Sequence, residues 1–394
     1  MHLRRAQRAR ACIGPAQVRL VRRSFLLGAK PLSKMVIVAD VHVHPYRICS
    51  NDNGQDRLRD GLSVLEQSLD LARQHDALWV MAGDFKMPKT NWPQEALTGA
   101  LEIIRRADNV EKVMIAGNHD AYGIGGSGLQ PFRDGSTIIV EREAEQIGDI
   151  LYVPYGADLT LVKANKHLPI VSHAFLKGAF IGPEDMRLPG KGVDLAEYGQ
   201  FPVAFFGDIH KAQMRLPADP KIGRIARWEP ITRGPVVRQG GPWRGEVYYP
   251  GSPYQQNWGE RNDLMKGALL ADTREGTVEF KPLDAPRFMH VELEDCEALP
   301  EILTQAGMEK NFVRIIADSA TWTAKAIEAK GLNYRWLQIV ERPRERKDTK
   351  RTVLHAGMSK REMLKAYMSA KPIPPGTDPE QVLKAGVYAI GEEV

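Results

Sequence analysis

Cysteine is nearly missing from this chain: Cys12, Cys49 and Cys296 are three in 394 residues. They are too few and too scattered for a disulfide framework or a CxxC metal knuckle, and a reducing, intracellular compartment follows from that scarcity. Long apolar runs are missing as well. Nothing approaches the roughly 18 residues that a membrane-crossing helix needs. Tandem repeats and low-complexity tracts are absent, which excludes repeat architectures. Acids are missing from residues 1–34, where Arg4, Arg5, Arg8, Arg10, Arg19, Arg22, Arg23, Lys30 and Lys34 stand alone. Subtracting those nine from the formal net charge of +5 leaves the rest of the chain at −4, so the basicity belongs to a tail. Three readings of that tail stay open: an Arg-rich transit peptide, a disordered arm touching nucleic acid, or translated leader ahead of a true start at Met35.

What is present reads as an ordinary globular composition, 43% hydrophobic and 26% charged, with room for two to three domains. The organising stretch is Val113–Asp120, V-M-I-A-G-N-H-D. An apolar run typical of a strand buried on both faces stops at a glycine and is followed by an amide, an imidazole and a carboxylate. Upstream, a strand Val36–Ala39 ends in Asp40-Val41-His42, and a helix over about Arg57–Gln74 carries Leu58, Leu62, Leu65 and Leu69 on one face. Strand Leu78–Ala82 ends in Gly83-Asp84, and a second helix over about Gln94–Arg106 leads into Val113. This alternation argues for α/β layers. Downstream, Pro169–Val171 ends in Ser172-His173, Val203–Phe206 ends in Gly207-Asp208-Ile209-His210, residues 211–245 form a long loop or hairpin, and Glu246–Tyr249 runs into Pro250-Gly251-Ser252-Pro253. The expected division is a basic extension over 1–34, a main domain over 35–285, a small α+β cap over 286–345, and a linker with closing helices over 346–394. Two capping boxes, Ser359-x-x-Glu362 and Thr377-x-x-Glu380, mark those helices.

Five apolar segments thus end in possible metal ligands: Asp40/His42, Asp84, Asn118/His119, His173 and Asp208/His210. Carboxylate, imidazole and amide oxygen suit Mn²⁺, Mg²⁺, Fe²⁺ or Zn²⁺, and no thiolate joins them. One such strand end is commonplace. Five in chain order are not, because the carboxyl ends of strands in layered α/β folds are where ligands collect.

Taken together, Asp40-x-His42, Gly83-Asp84, Gly117-Asn118-His119-Asp120, Ser172-His173 and Gly207-Asp208-x-His210 resemble the calcineurin-like metallophosphoesterase signature. Tyr249-Pro250-Gly251-Ser252-Pro253 with Gln255-Gln256-Asn257-Trp258-Gly259-Glu260 is similar to the SbcD/Mre11 nuclease branch, phage relatives included. The resemblance covers about residues 35–285. It implies a four-layer α/β/β/α sandwich with a small α+β cap, and two divalent metal ions, Mn²⁺ first and Mg²⁺ or Fe²⁺ as alternatives. It assigns Asp40, His42 and His210 to one metal, Asp84 to the bridge, and Asn118, His173 and position 208 to the other. The family usually has His where this chain has Asp208, a harder ligand that leans the second site toward Mn²⁺ or Mg²⁺. Two metals would activate water for in-line attack on phosphorus, with His119 stabilising the transition state or protonating the leaving oxygen. Asp120 is expected either to orient His119 or to be a turn carboxylate.

Residues 211–245 carry eight basic side chains against Asp219 and Glu229. Lys211, Arg215, Arg224, Arg227, Arg233 and Arg238 are the candidate phosphate-backbone contacts, with Trp228 and Trp243 as candidate stacking partners. The alternative is an exposed loop whose charges merely solvate it. Three functions remain open: a DNA exonuclease or endonuclease of repair or recombination, working with an SbcC/Rad50-like ATPase; a stand-alone small-substrate phosphodiesterase or phosphatase; or a binding module that has lost catalysis. Homodimerisation follows from the resemblance, no membrane contact is expected, and the expected location is the cytoplasm of a bacterial or phage-infected cell, with organellar targeting as the alternative.

Overall fold

A computed structural model describes residues 33–87, 92–122, 126–182, 186, 192–219, 225–232, 236–293, 307–317, 333–341, 362–365, 378 and 380–383. By internal contacts the chain splits into two units, one of residues 1–316 with 321–340 and one of residues 317–320 with 341–394. In the second unit, residues 362–365 and 380–383 are helical. The capping residues Ser359 and Thr377, and most of residues 1–34, lie outside the described residues.

Two mixed seven-stranded sheets make the α/β body of the first unit. The first sheet runs Val236–Gln239, Thr277–Pro282, Gly267–Asp272, Lys34–Val38, Leu78–Ala82, Lys112–Ile115, Thr137–Val140. Its last four strands are mutually parallel, and Gly267–Asp272 pairs antiparallel with Lys34–Val38. The second sheet runs Arg227–Pro230, Gln213–Leu216, Glu246–Tyr249, Val203–Gly207, Ile170–His173, Ile150–Val153, Glu145–Ile147. Its four central strands are parallel and its flanks antiparallel.

The apolar runs are continuous because both faces of these strands are covered. Val36, Val38, Trp79, Met81 and Met114 point into one core, shared with Leu58, Leu65 and Leu69 of the helix Gln55–Gln74 and Ile103 and Ile104 of the helix Gln94–Arg106. Their neighbours Met35, Ile37, Val80, Val113 and Ile115 join Val171, Val203, Phe205 and Tyr248 in a second core that contains residues of both sheets. A third core packs Ala204, Phe206, Val247 and Tyr249 against loops and short helical turns bearing Val162, Leu176 and Tyr198. Each fully buried Leu or Val here contributes about 1.5–3 kcal/mol.

A three-stranded sheet, Phe288–Leu293, Phe312–Ala317 and Trp336–Glu341, stands where the cap was expected. Phe288 and Phe312 are buried with Cys49, and Trp258 and Trp336 pack on that cluster. Arg57, buried in the first helix, lies 4.6 Å from the Phe312 ring centroid and 5.1 Å from that of Phe288.

The segment 211–245, expected to be a loop or hairpin, contains three short strands, of which Gln213–Leu216 and Arg227–Pro230 pair antiparallel. Gln213–Leu216 and Arg227–Pro230 extend the second sheet, and Val236–Gln239 becomes the edge of the first.

Candidate metal centre

Every predicted ligand lies at the carboxyl end of a parallel strand or just beyond it. Asp40 and His42 follow Lys34–Val38, Asp84 follows Leu78–Ala82, Asn118 and His119 follow Lys112–Ile115, His173 ends Ile170–His173, and Asp208 and His210 follow Val203–Gly207. The two sheets bring these ends together. That approach is tight at Gly83, Gly117 and Gly207: a Cβ on Gly83 would sit 2.1 Å from His173 Nδ1, one on Gly117 2.2 Å from Asp84 Oδ1, and one on Gly207 2.0 Å from the Ala82 carbonyl oxygen. Only hydrogen fits there. Asp40, His42, Asp84 and Asp208 have φ of 54°, 47°, 56° and 96°. Left-handed backbone at non-glycine residues clusters where the surroundings force a side chain's aim.

The gathered side chains form three overlapping sets in which ligand atoms all lie within 4.8 Å of one another: Asp40–His42–His210, His42–Asp84–His119, and Asp40–Asp84–His173. Asp84 Oδ2 lies 3.8 Å from His42 Nε2 and 3.9 Å from His119 Nε2, while Oδ1 lies 3.4 Å from His173 Nε2. Asp84 therefore occupies the middle position expected of a bridge. Asp208 joins none of the three sets. Its Oδ1 is 3.7 Å from His173 Nε2, and its backbone N–H donates to the Asp40 carboxylate at 3.1 and 3.2 Å.

All four imidazoles are anchored through Nδ1. His173 Nδ1 donates to the Ala82 carbonyl at 2.8 Å, His210 Nδ1 to Glu260 Oε1 at 3.0 Å, His42 Nδ1 to the Lys86 carbonyl at 3.4 Å, and His119 Nδ1 to the Met87 carbonyl. A proton held on Nδ1 leaves the Nε2 lone pair facing the centre, the tautomer a metal requires. His42 Nε2 and His210 Nε2 face each other at 3.2 Å, within hydrogen-bond distance when either carries a proton. The Asn118 amide lies 2.9 and 3.0 Å from the two Asp84 oxygens and 3.2 Å from His173 Nε2. With its nitrogen turned that way, the amide donates to the Asp84 carboxylate. Divalent cations fit this set of carboxylates, imidazoles and an amide.

Charge in the metal-free cluster is redistributed accordingly. Burial raises the Asp40 carboxyl to about 7, against the pull of His173 and His210. Burial also depresses His42 to about 3, with His210 adding to the effect. For His173 burial works the other way from the outcome, and the carboxylates of Asp84, Asp40 and Asp208 lift it to about 10. Burial opposes ionisation of Asp84 too, but His173, His42 and the His119 N–H outweigh it and hold that carboxylate well below its usual range. Metal binding displaces such protons.

Asp120 does not orient His119. Its buried carboxylate accepts the backbone N–H groups of Gly117 at 2.9 Å, Phe85 at 3.1 Å and Lys86 at 3.2 Å, tying the Asp84 loop to the Asn118 loop. The orienting oxygen behind His119 is the Met87 carbonyl. Sequence reasoning also gave no role to Glu260, which holds His210 and in turn accepts from Lys266 Nζ at 2.7 Å, or to Gln256, whose amide donates to the Asp40 carbonyl at 2.7 Å. Their one signal was membership of the Gln255–Glu260 motif.

Two of the expected phosphate contacts, Arg238 and Arg227, pair with acids of their own segment or its neighbouring strand. Arg238 pairs with Glu246 at 3.2 Å, donates to the carbonyls of Gly241, Pro242 and Gly276, and stacks 4.1 Å from the Trp243 ring centroid. Arg227 pairs with Glu229, and Arg244 with Asp219. Trp228 is buried in the third core, and Trp243 Nε1 donates to the Thr273 carbonyl at 2.8 Å. Arg215 is partly buried, and Lys211 Nζ lies 5.7 Å from the Phe180 ring. Arg224 and Arg233 lie outside the described residues. No helix among the described residues is long and apolar enough to cross a membrane.

A model of the Metallophos family, described as calcineurin-like phosphoesterase, matches residues 33–263, more than half of the chain. No curated protein matches it.

Proposed function

Because the chain belongs to the calcineurin-like phosphoesterase family, and is thereby a metal-dependent phosphoester hydrolase, we propose that it is a two-metal phosphodiesterase that cleaves DNA. The observation that carries the hydrolase reading is the set of four imidazoles anchored at Nδ1 around Asp40 and Asp84. Asp40, His42 and His210 would hold one cation, Asn118 and His173 the other, with Asp84 between them and Asp208 at the margin of the second. Bound there, Mn²⁺ or a similar ion supplies a water of lowered pKa and neutralises charge on the phosphoryl oxygens.

The chain's own groups do the rest. Glu260 and the Ala82 carbonyl fix the rings of His210 and His173. His119, whose side chain is 24% exposed and tethered at Nδ1, has Nε2 3.9 Å from Asp84 Oδ2, where with a second proton it would protonate the leaving oxygen. Asp120 and Gly117 keep the loop bearing it in register with Asp84.

The DNA reading is supported by the likeness of Tyr249–Glu260 to the SbcD/Mre11 branch, within which Glu260 and Gln256 pack against His210 and Asp40. The same reading assigns the closing segment to contact with an SbcC/Rad50-like ATPase. A second reading, hydrolysis of a small diester, is favoured by the internal pairing of Arg227, Arg238 and Arg244. One experiment separates them: Mn²⁺-dependent turnover of linear single- and double-stranded DNA beside bis(p-nitrophenyl) phosphate, with His119→Ala as control. DNA degradation lost in the variant supports the nuclease. Turnover of the aryl diester alone selects the small-substrate reading, absent turnover of both overturns diester hydrolysis, and metal-independent turnover overturns the two-metal reading.

A further inference from the structure

Large hydrophobic side chains that stay exposed among the described residues are Ile48, Tyr155, Met186, Ile225 and Leu264. Tyr155 is the aromatic one, 52% exposed, and it stands at the metal centre. It follows Ile150–Val153, the strand beside Ile170–His173, so the topology delivers it to the same edge as the ligands. Its ring centroid lies 6.3 Å from that of His173, edge to face at 72°. Its backbone N–H donates to the Ala116 carbonyl at 2.9 Å, which pins it beside the Gly117-Asn118 loop. The hydroxyl has no hydrogen-bond partner among the described residues, and a Cβ built on the adjacent Gly156 meets nothing within 4 Å. A ring this exposed gains little from burial, yet its place is fixed by backbone, and open space adjoins it.

We infer that Tyr155 is a stacking subsite for a planar ring carried by the scissile diester, that is, for an unpaired nucleobase next to the phosphate held at the Asn118–His173 side. This inference rests on the phosphodiesterase reading above and adds which part of the substrate is read. A tyrosine face accepts any base, so the subsite favours single-stranded or frayed ends over internal duplex, where bases are already stacked. Phosphate contacts position a strand, but this contact would distinguish a residue bearing a base from one without.

The test is equilibrium binding by fluorescence anisotropy, in Ca²⁺ to suppress turnover, of a thymidine oligonucleotide and of the same strand with abasic residues. Wild type is expected to prefer the thymidine strand by about 5- to 100-fold, the range base–aromatic stacking provides. Tyr155→Phe keeps that preference, while Tyr155→Leu, which still covers His173, and Tyr155→Ala lose it. Mn²⁺ affinity by calorimetry stays within about twofold of wild type, which a merely structural role at His173 would not allow. Equal binding of the two strands by wild type, or an undiminished preference in Tyr155→Leu, overturns the inference. Preferential binding without any cleavage in Mn²⁺ would instead sink the hydrolase reading and leave the stacking subsite standing.

Discussion

Replacing Gly207 with alanine is the most direct test of how the two sheets build the centre. The added methyl would lie 2.0 Å from the Ala82 carbonyl oxygen, 2.7 Å from His173 Nδ1 and 3.1 Å from Ala39 Cβ. The first two atoms are the partners of the 2.8 Å hydrogen bond that sets the His173 tautomer. Neither can yield cheaply, because Ala82 closes a central strand paired with Ile115 and His173 is fully buried. Overpacking costs about 1–3 kcal/mol, and separating a buried donor from its acceptor about 1–3 kcal/mol more. The expected loss is therefore about 2–6 kcal/mol, a large part of the roughly 5–15 kcal/mol that holds a domain together. Urea denaturation in EDTA measures it. Mn²⁺ affinity by calorimetry should fall about 10- to 100-fold, as when an anchoring partner of a ligand is lost. Gly135→Ala, whose methyl meets nothing within 4 Å, is the control and should stay within about 0.5 kcal/mol of wild type. A Gly207→Ala protein with wild-type urea midpoint and Mn²⁺ affinity would refute the account of the site.

Other outcomes follow from the same geometry. Glu260→Gln removes the charge that holds His210 and faces buried Lys266, so stability should drop by about 3 kcal/mol, and Mn²⁺ affinity about tenfold; unchanged values by denaturation and calorimetry would exclude Glu260 as an anchor. The Asp40 carboxyl, raised by burial from 3.8 to about 7, favours the protonated form in the metal-free fold. Its stabilising contribution is fully present below pH 3.8 and is lost as pH rises through about 7. Mn²⁺, which competes with that proton, should bind more tightly across the upper part of that window; a calorimetric affinity flat from about pH 5 to pH 8 contradicts this. Arg238→Ala should cost about 1–3 kcal/mol, because Glu246 and three carbonyls lose their donor. Its DNA affinity should stay within about twofold, and a large selective loss of DNA binding would restore the backbone-contact role expected from sequence.

The centre was legible because its strands are covered on both faces. Runs such as Leu78–Ala82 and Val113–Ala116 are therefore apolar without interruption, and the first polar residue after each is a candidate ligand. The helix Gln94–Arg106 and the strand Glu246–Tyr249 have the limits their apolar patterns predict. What sequence missed depends on partners far away in the chain. Asp120 looks like an orienting acid until the N–H groups of Phe85 and Lys86, 35 and 34 residues earlier, are found on it. Glu260 meets His210 across 50 residues. Arg215, Arg227 and Arg238 read as a charged loop because Pro217, Pro220 and Pro235 interrupt the alternation, yet the edges of two sheets supply the strand partners that local propensity does not.

The left-handed backbone at Asp40, His42, Asp84 and Asp208 makes the centre a burden on the fold that carries it. At about 1 kcal/mol each or more, and with carboxylates crowded in a dry cluster, these four positions work against stability whenever no cation is bound. Glycine at any of them would relax the backbone there, but at Asp40 and Asp84 it would also remove the acceptors of the Asp208 and His119 N–H groups. These four positions exchange backbone comfort for the aim of the ligands.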